Sequence, residues 1–246
     1  MSCHEKKLRS VIGGMKSLAI AFSGGLDSTC LAAFSHGILG DRLLLVHVRS
    51  PLSPAKESKA AIAWAKSKGI RTLVLSLNPL SDKKVQSNPA DRCYHCKKLI
   101  MSEVRKYASK HGMEHVADGS NVDDLGDYRP GFKATEELGI IHPLMEAGFG
   151  KKQIRILAKR LKLANWNTPS SACLASRIPY GTGLDMKDLA RIDKAEDFLR
   201  GKGFIGCRVR LITKDSAAIE VAPSMFGKVL SARTEISAYL PATSTT

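Results

Sequence analysis

Short apolar runs alternate with amphipathic stretches along the chain from residue 17. Ser17-Leu-Ala-Ile-Ala-Phe22 reads as a strand, residues 27–37 as a helix, and Leu43-Leu-Leu-Val-His-Val48 as a buried strand. Residues 54–68 form the next helical pattern, ending at Gly69, and Thr72-Leu-Val-Leu-Ser-Leu77 a third strand. This is the text of a parallel βαβαβ unit. A helix over about 93–110 and a strand near 114–118 continue it, which predicts an α/β, doubly wound open sheet with helices on both faces. Ile154, Leu157, Ala158 and Leu161 mark a further helix with one buried face, whose other face carries Lys151, Lys152, Arg155, Lys159, Arg160 and Lys162. Residues 164–184, rich in Ser, Pro and Gly, break the alternation and read as a linker or mobile loop. Asp185 then caps a helix to about 201, followed by strand-like Cys207-Arg-Val-Arg-Leu-Ile212 and Ala217-Ala-Ile-Glu-Val-Ala222 and a short helix. The expected organisation is a nucleotide-type domain over 1–165, a cysteine-bearing loop over 166–184 and a small C-terminal α+β domain over 185–246.

The chain has 246 residues, enough to bury a core without disulfide or metal staples. At 43% hydrophobic it has no run approaching a membrane span, and Met1-Ser-Cys-His-Glu-Lys-Lys lacks an apolar signal core. The expectation is a cytoplasmic protein that does not engage membranes, in whose reducing surroundings six cysteines point to metal, redox or nucleophilic chemistry, or to simple burial. Lys and Arg number 38 against 23 Asp and Glu, a surplus of +15 that attracts polyanions without choosing among them.

Directly after the first strand comes Ser23-Gly24-Gly25-Leu26-Asp27-Ser28, which runs into a helix. Two glycines let the backbone approach a ligand, and the helix start offers N–H groups to a phosphate. The lysine of a P-loop and the GxGxxG spacing are both missing, which argues against a P-loop NTPase and a Rossmann dehydrogenase. The string resembles the PP-loop of the ATP pyrophosphatases, which cleave ATP between the α- and β-phosphates. The resemblance implies a PP-loop (HUP-like) fold, with Ser23, Gly24, Gly25 and Ser28 cradling pyrophosphate and Asp27 helping to place Mg2+. Past the strand near 114–118, Gly119, Asp124 and Arg129 are further candidates for the ATP site.

Cys93-Tyr-His-Cys96 lies at a helix start beside Arg92, Lys97 and Lys98, surroundings that favour the thiolate form of a cysteine, and Cys173 stands in the irregular loop. Three sulfurs suit a 4Fe-4S cluster with one iron left open. Zinc with a fourth ligand, or a redox pair without metal, are the alternatives. Cys30 reads as a core residue, and Cys207 and Cys3 show no partner.

Asn88-Pro-Ala-Asp-Arg-Cys-Tyr-His-Cys-Lys97, Asp118-Gly-Ser-Asn-Val-Asp-Asp-Leu-Gly-Asp-Tyr-Arg-Pro-Gly131 and Ser171-Ala-Cys-Leu-Ala-Ser-Arg-Ile-Pro-Tyr-Gly181 together resemble the signature blocks of the LarE family. These are ATP-dependent sulfur transferases (sulfurtransferases) of nickel-pincer nucleotide synthesis. The resemblance implies a pyridinium dicarboxylate mononucleotide as substrate, adenylated and then converted to a thiocarboxylate. It implies ATP, Mg2+ and a 4Fe-4S cluster on Cys93, Cys96 and Cys173 as cofactors, with sulfide or a sulfur donor as partner. One subtype of the family consumes the cysteine matching Cys173; the three-cysteine pattern resembles the cluster-dependent subtype, in which it is a ligand. Glu196 matches an acid near the sulfur site, and Arg208 and Arg210 match a substrate-gripping Arg-x-Arg. The bare alternatives are a solvated helix residue and an exposed strand face. Ala217-Ala218 depart from the arginine expected before Ile-Glu-Val, which touches the choice of acceptor.

The competing expectations are a tRNA thiolase, which the charge suits, an amide-forming PP-loop ligase with structural zinc, and a nucleotide sensor without turnover. With 6% aromatics and no second CxxC pair, a nucleic-acid partner is the weaker expectation. The sequence leaves room for a homo-oligomer.

Overall fold

The computed structural model describes residues 1–126, 130–169, 171–213 and 216–242. Its elements begin with α1 (Cys3–Gly13), β1 (Leu18–Ala21), α2 (Leu26–Leu39), β2 (Leu43–Arg49), α3 (Ala55–Ser67), β3 (Thr72–Ser76) and α4 (Lys83–Gln86). They continue with α5 (Arg92–Lys110), β4 (His115–Ala117), α6 (Pro130–Glu137), α7 (Pro143–Glu146) and α8 (Lys151–Arg160). Last come α9 (Met186–Gly201), β5 (Arg208–Leu211), β6 (Ala217–Glu220), α10 (Phe226–Ser231) and α11 (Arg233–Ala242). The chain divides into two compact units: Met1–Ser50, Glu57–Pro79 and Asp91–Ser170 in the first; Pro51–Lys56, Leu80–Ala90 and the chain from Ser171 onward in the second.

In the first unit the strands pair in parallel in the order β3-β2-β1-β4, and Ile141 adds a parallel bridge to Ala117. The two-residue period of the strands distributes their side chains to opposite faces. Leu18, Ile20, Leu43 and Leu45 pack with Leu8 and Ile12 of α1, Leu31 of α2 and Ile154 and Leu157 of α8. Ala19, Leu44, Val46 and Val116 pack with Met101, Val104 and Ala108 of α5. Burial on both faces is why β2 opens with four consecutive apolar residues, Leu43–Val46. Helix α1 has no counterpart among the sequence expectations: its first turn is polar and begins at Ser2, whose hydroxyl accepts from the N–H of Glu5 at 3.3 Å, and its hydrophobic anchor is short, Leu8 and Ile12 with Val11 beside them.

The second unit pairs β5 and β6 antiparallel, with Arg208 opposite Glu220 and Val209 opposite Ile219. Its core gathers Ala195 and Leu199 of α9, Phe204, Cys207, Val209 and Ile236. The stretch over 171–184, expected as a linker or mobile loop, is tied down inside this unit. The N–H of Leu174 donates to Leu52 O at 2.9 Å, that of Gly181 to Asn88 O at 2.9 Å and that of Leu184 to Gln86 O at 2.7 Å. Leu174, Ile178 and Leu184 are buried, so its irregular text conceals apolar anchors. Among the described residues no helix is long and apolar enough to cross a membrane.

Candidate active site

From β1 the sheet grows in one direction through β2 and β3, then resumes on the other side of β1 with β4. The change of direction leaves a crevice at the carboxyl ends of β1 and β4, the place where open parallel sheets take ligands. Ser23–Ser28 leave β1 there and Asp118–Asp124 leave β4 there. Gly24 has φ +82°, and a Cβ on it would lie 2.4 Å from Cβ of Ala61 in α3. Gly25 is the N-cap of α2; its N–H donates to the Ser23 hydroxyl at 3.3 Å and its carbonyl accepts from the Ser28 hydroxyl at 3.1 Å. The Ser23 and Ser28 hydroxyls are 3.0 Å apart and face the same turn. Gly119 is required by contact: its Cβ would stand 2.8 Å from the backbone N of Ser28, so the two loops touch through backbone.

A polar network fills the floor. Asp27 accepts from the Lys151 ammonium and, at 3.4 Å, from the Asn121 amide. Asn121 donates through the same Nδ2 to Asp124 at 3.1 Å. Asp123 caps α8 by accepting from the N–H of Lys151 at 2.8 Å, and its carboxylate occupies the space a Cβ on Gly150 would need. Lys151, which in the sequence belongs to a basic face of α8, thus turns its charge inward. Asp118 is buried and receives Lys97 at 3.0 Å and Nδ1–H of His142 at 2.8 Å. Burial alone would raise its pKa, but the charge of Lys97, with the bonds from His142 and the N–H of Ser120, holds the carboxyl far below the usual carboxylate range. Lys97, Asn121, His142 and Lys151 are contributors that sequence reasoning missed. Lys97 was read only as a cation beside the cysteines and Asn121 stood in a motif without a role, while His142 carried no local signal. Arg129 lies outside the described residues.

Cys93 and Cys96 occupy the first turn of α5 at i and i+3, on adjoining positions of one helix face, and both are half-buried. Two of the cations beside them, Lys97 and Lys98, have partners elsewhere. Arg92 is buried, Lys97 pairs with Asp118, and Lys98 pairs with Glu137 at 2.7 Å and with the Tyr94 hydroxyl at 3.0 Å. Cys173 is exposed, at the head of a 3-10 turn over Leu174–Arg177 in the second unit. Among the described residues no group of three or more His, Cys, Asp or Glu side chains is gathered as a metal site. Cys30 is a core residue whose thiol burial pushes up to about 12.

In the second unit Glu196 is completely buried rather than solvated. It receives the Arg177 guanidinium in a fork, Nε to Oε1 at 2.8 Å and Nη2 to Oε2 at 3.2 Å, and the N–H of Val209 at 3.0 Å. Arg177 in turn donates through Nη1 to the carbonyls of Ala172 at 2.9 Å and Cys173 at 3.3 Å. The helix carrying Glu196 therefore fixes the backbone that carries Cys173. Arg208 and Arg210 flank the core residue Val209 on β5 and share the opposite face. Arg210 pairs with Glu220 and donates to Ser176 O at 2.7 Å. It borders a cavity of about 370 Å³ whose walls include Ser176, Pro179, exposed Tyr180 and Ile212.

Searched against family models, the chain matches none. An uncharacterized protein of Synechocystis is 35% identical over 218 residues, 89% of this chain and 81% of its own. Pyridinium-3,5-bisthiocarboxylic acid mononucleotide synthase of Lactiplantibacillus plantarum is 36% identical over 228 residues, 91% of this chain and 82% of its own. A component of the glutamine-hydrolyzing GMP synthase of Methanococcus maripaludis, a PP-loop relative, is 25% identical over 199 residues, 76% of this chain and 61% of its own. With the Ser23–Ser28 turn at the switch point of a parallel sheet, and with this likeness across nearly the whole chain, the protein belongs to the LarE family, that of pyridinium-3,5-bisthiocarboxylic acid mononucleotide synthase.

Proposed function

We propose that this chain is an ATP-dependent sulfur transferase that activates a carboxylate of pyridinium-3,5-dicarboxylate mononucleotide and converts it to a thiocarboxylate, releasing pyrophosphate and AMP. The observation that carries it is the backbone contact of Gly119 with Ser28 at the β1/β4 crevice, in a chain of this family. Ser23, Gly24, Gly25 and Ser28 bind the departing pyrophosphate through N–H groups and hydroxyls at the start of α2. Gly119 keeps the opposite wall low enough for a nucleotide. Asp27 and Asp124, bridged by Asn121, form an oxygen donor set suited to Mg2+, which takes one or two carboxylates and completes its shell with phosphates and water. Lys151 then passes from Asp27 toward phosphate charge. Arg129 belongs to the same proposed ATP site.

Cys93 and Cys96, as a half-buried pair on one helix turn, fit two positions of a cysteine-held centre, and Cys173 supplies the third. A 4Fe-4S cluster there would supply sulfide on the iron that no cysteine occupies. The chain's own contribution is to hold the thiolates, with Arg177 and Glu196 fixing the Cys173 backbone. Arg208 and Arg210 bind the anionic groups of the mononucleotide beside the second unit's cavity. The sulfur would come from sulfide or a donor protein, in the reducing cytoplasm.

Anaerobically purified protein is expected to be brown with about four irons per chain, and Cys93→Ala, Cys96→Ala and Cys173→Ala to lose the colour. Incubation with ATP, sulfide and the pyridinium mononucleotide, followed by mass measurement, is expected to give the thiocarboxylate. The likeness to a component of GMP synthase favours an amide-forming ligase as the second reading. A colourless protein with one zinc and no thiocarboxylate would transfer the function to it.

A further inference from the structure

Asn88 opens the stretch that leads to Cys93 and takes no part in the chemistry above. It is buried at 0% exposure and has φ +55°, a region that side chains with a Cβ rarely adopt, in front of a proline that narrows its choices further. Such strain persists only where the surroundings over-determine it. Here those surroundings are the loop over 178–184 of the same unit. The Nδ2 of Asn88 lies 2.9 Å from Pro179 O, 3.1 Å from Thr182 O and 3.5 Å from Ile178 O. Three carbonyls converging on one atom identify it as the amide nitrogen. The backbone adds Gly181 N–H to Asn88 O at 2.9 Å and Leu184 N–H to Gln86 O at 2.7 Å. The Oδ1 is buried without a partner among the described residues, so the side chain is held for its donor alone.

The loop so held supplies Ile178, Pro179 and Tyr180 to the cavity that Arg210 borders. We propose that Asn88 is a positioning residue for substrate: by fixing the 178–182 turn it sets the affinity of the second unit's cavity for the mononucleotide, without touching it. This rests on the assignment of that cavity to the substrate under the proposed function. Among the described residues none of these contacts reaches Ser23–Ser28 or Gly119, so ATP binding is expected to be independent of them.

The test uses the full chain with Asn88→Asp, which keeps the shape and removes the donor, and Asn88→Gly, which keeps the positive φ without strain. Hydrogen exchange at the Gly181 and Leu184 amides is expected to quicken at least about tenfold in both, as local opening becomes easier. The KM for the mononucleotide is expected to rise at least about tenfold, while kcat and the KM for ATP stay within about threefold, the pattern of lost uniform binding. Unchanged exchange in both variants overturns the proposal. So does faster exchange with an unchanged mononucleotide KM, or a parallel loss of kcat and both KM values, which marks general damage. If the wild-type chain does not turn over the mononucleotide, the functional reading fails, and exchange alone then decides whether Asn88 holds the turn.

Discussion

Gly24 shows how little freedom the nucleotide turn has. Its φ of +82° and the 2.4 Å separation a Cβ would have from Ala61 act together, so Gly24→Ala must either shift α3 or abandon the turn. The expected outcome is a loss of about 1–3 kcal/mol of stability, read from the urea midpoint, with a matching fall in ATP affinity by titration calorimetry. ATP affinity equal to wild type would remove the turn from the site. Beneath it, His47 is buried between the end of β1 and α3. The Phe22 carbonyl can only accept, so Nδ1–H donates to it at 2.8 Å, and Nε2 lies 2.7 Å from the Ser58 hydroxyl. Burial, assisted by Arg49, lowers its pKa against the opposing bond to Phe22 and so favours the neutral ring, whose Nε2 accepts from Ser58. Because the folded value is the lower one, the unfolded chain takes up a proton first as pH falls below the ordinary histidine value of about 6.5. The stability contribution is whole above that pH and is lost as pH drops toward the folded value. Urea midpoints should fall between pH 7.5 and pH 5.5, and fall less in His47→Gln; equal slopes in the two proteins would contradict the neutral ring.

At the scale of elements, the turn carrying Cys173 is fastened to α9 by one buried ion pair. Removing Arg177 alone leaves the carboxylate of Glu196 buried without its main counter-charge, and Arg177→Met should cost about 3–5 kcal/mol. Adding Glu196→Leu should restore part of that loss, so the double variant is more stable than the sum of the singles, as a denaturation cycle would show. Strict additivity would mean that the pair carries no coupling. The four parallel strands and the β5/β6 alternation were legible in the sequence, because runs such as Leu43–Val48 and the Arg-Val-Arg alternation state their burial directly. The burial of Glu196 was not, since one acid on a helix rich in Asp and Arg looks solvated until Arg177 and the N–H of Val209 meet its carboxylate. Nor was the inward turn of Lys151, because helix periodicity separates a basic face from an apolar one but says nothing of an aspartate arriving from Asp27, far away in sequence. The same limit hid Asn88, whose partners stand some ninety positions further on.

At the scale of the whole molecule, the ion pairs Lys97–Asp118, Lys151–Asp27, Arg160–Glu5 and Arg177–Glu196 each remove one charge of either sign. They leave the surplus of +15 untouched and displace it onto the remaining lysines and arginines, Lys152, Arg155 and Lys159 of α8 among them. A surplus held in this way makes a diffuse attraction, screened over about 8 Å at physiological ionic strength, and carries no preference for one polyanion. RNA binding of this kind consists of counterion release. Affinity for bulk tRNA, measured by filter retention, should therefore fall at least about a hundredfold between 50 and 200 mM salt. Under the proposed function turnover should not follow it, because Arg210 would meet its ligand beside a cavity wall, at short range. The KM for the pyridinium mononucleotide should change by less than about tenfold over the same interval. Mass measurement of the nucleosides should show no sulfur in the tRNA at either salt. Binding that survives 200 mM salt and yields a thiolated nucleoside would instead give the surplus a specific partner and make RNA the substrate.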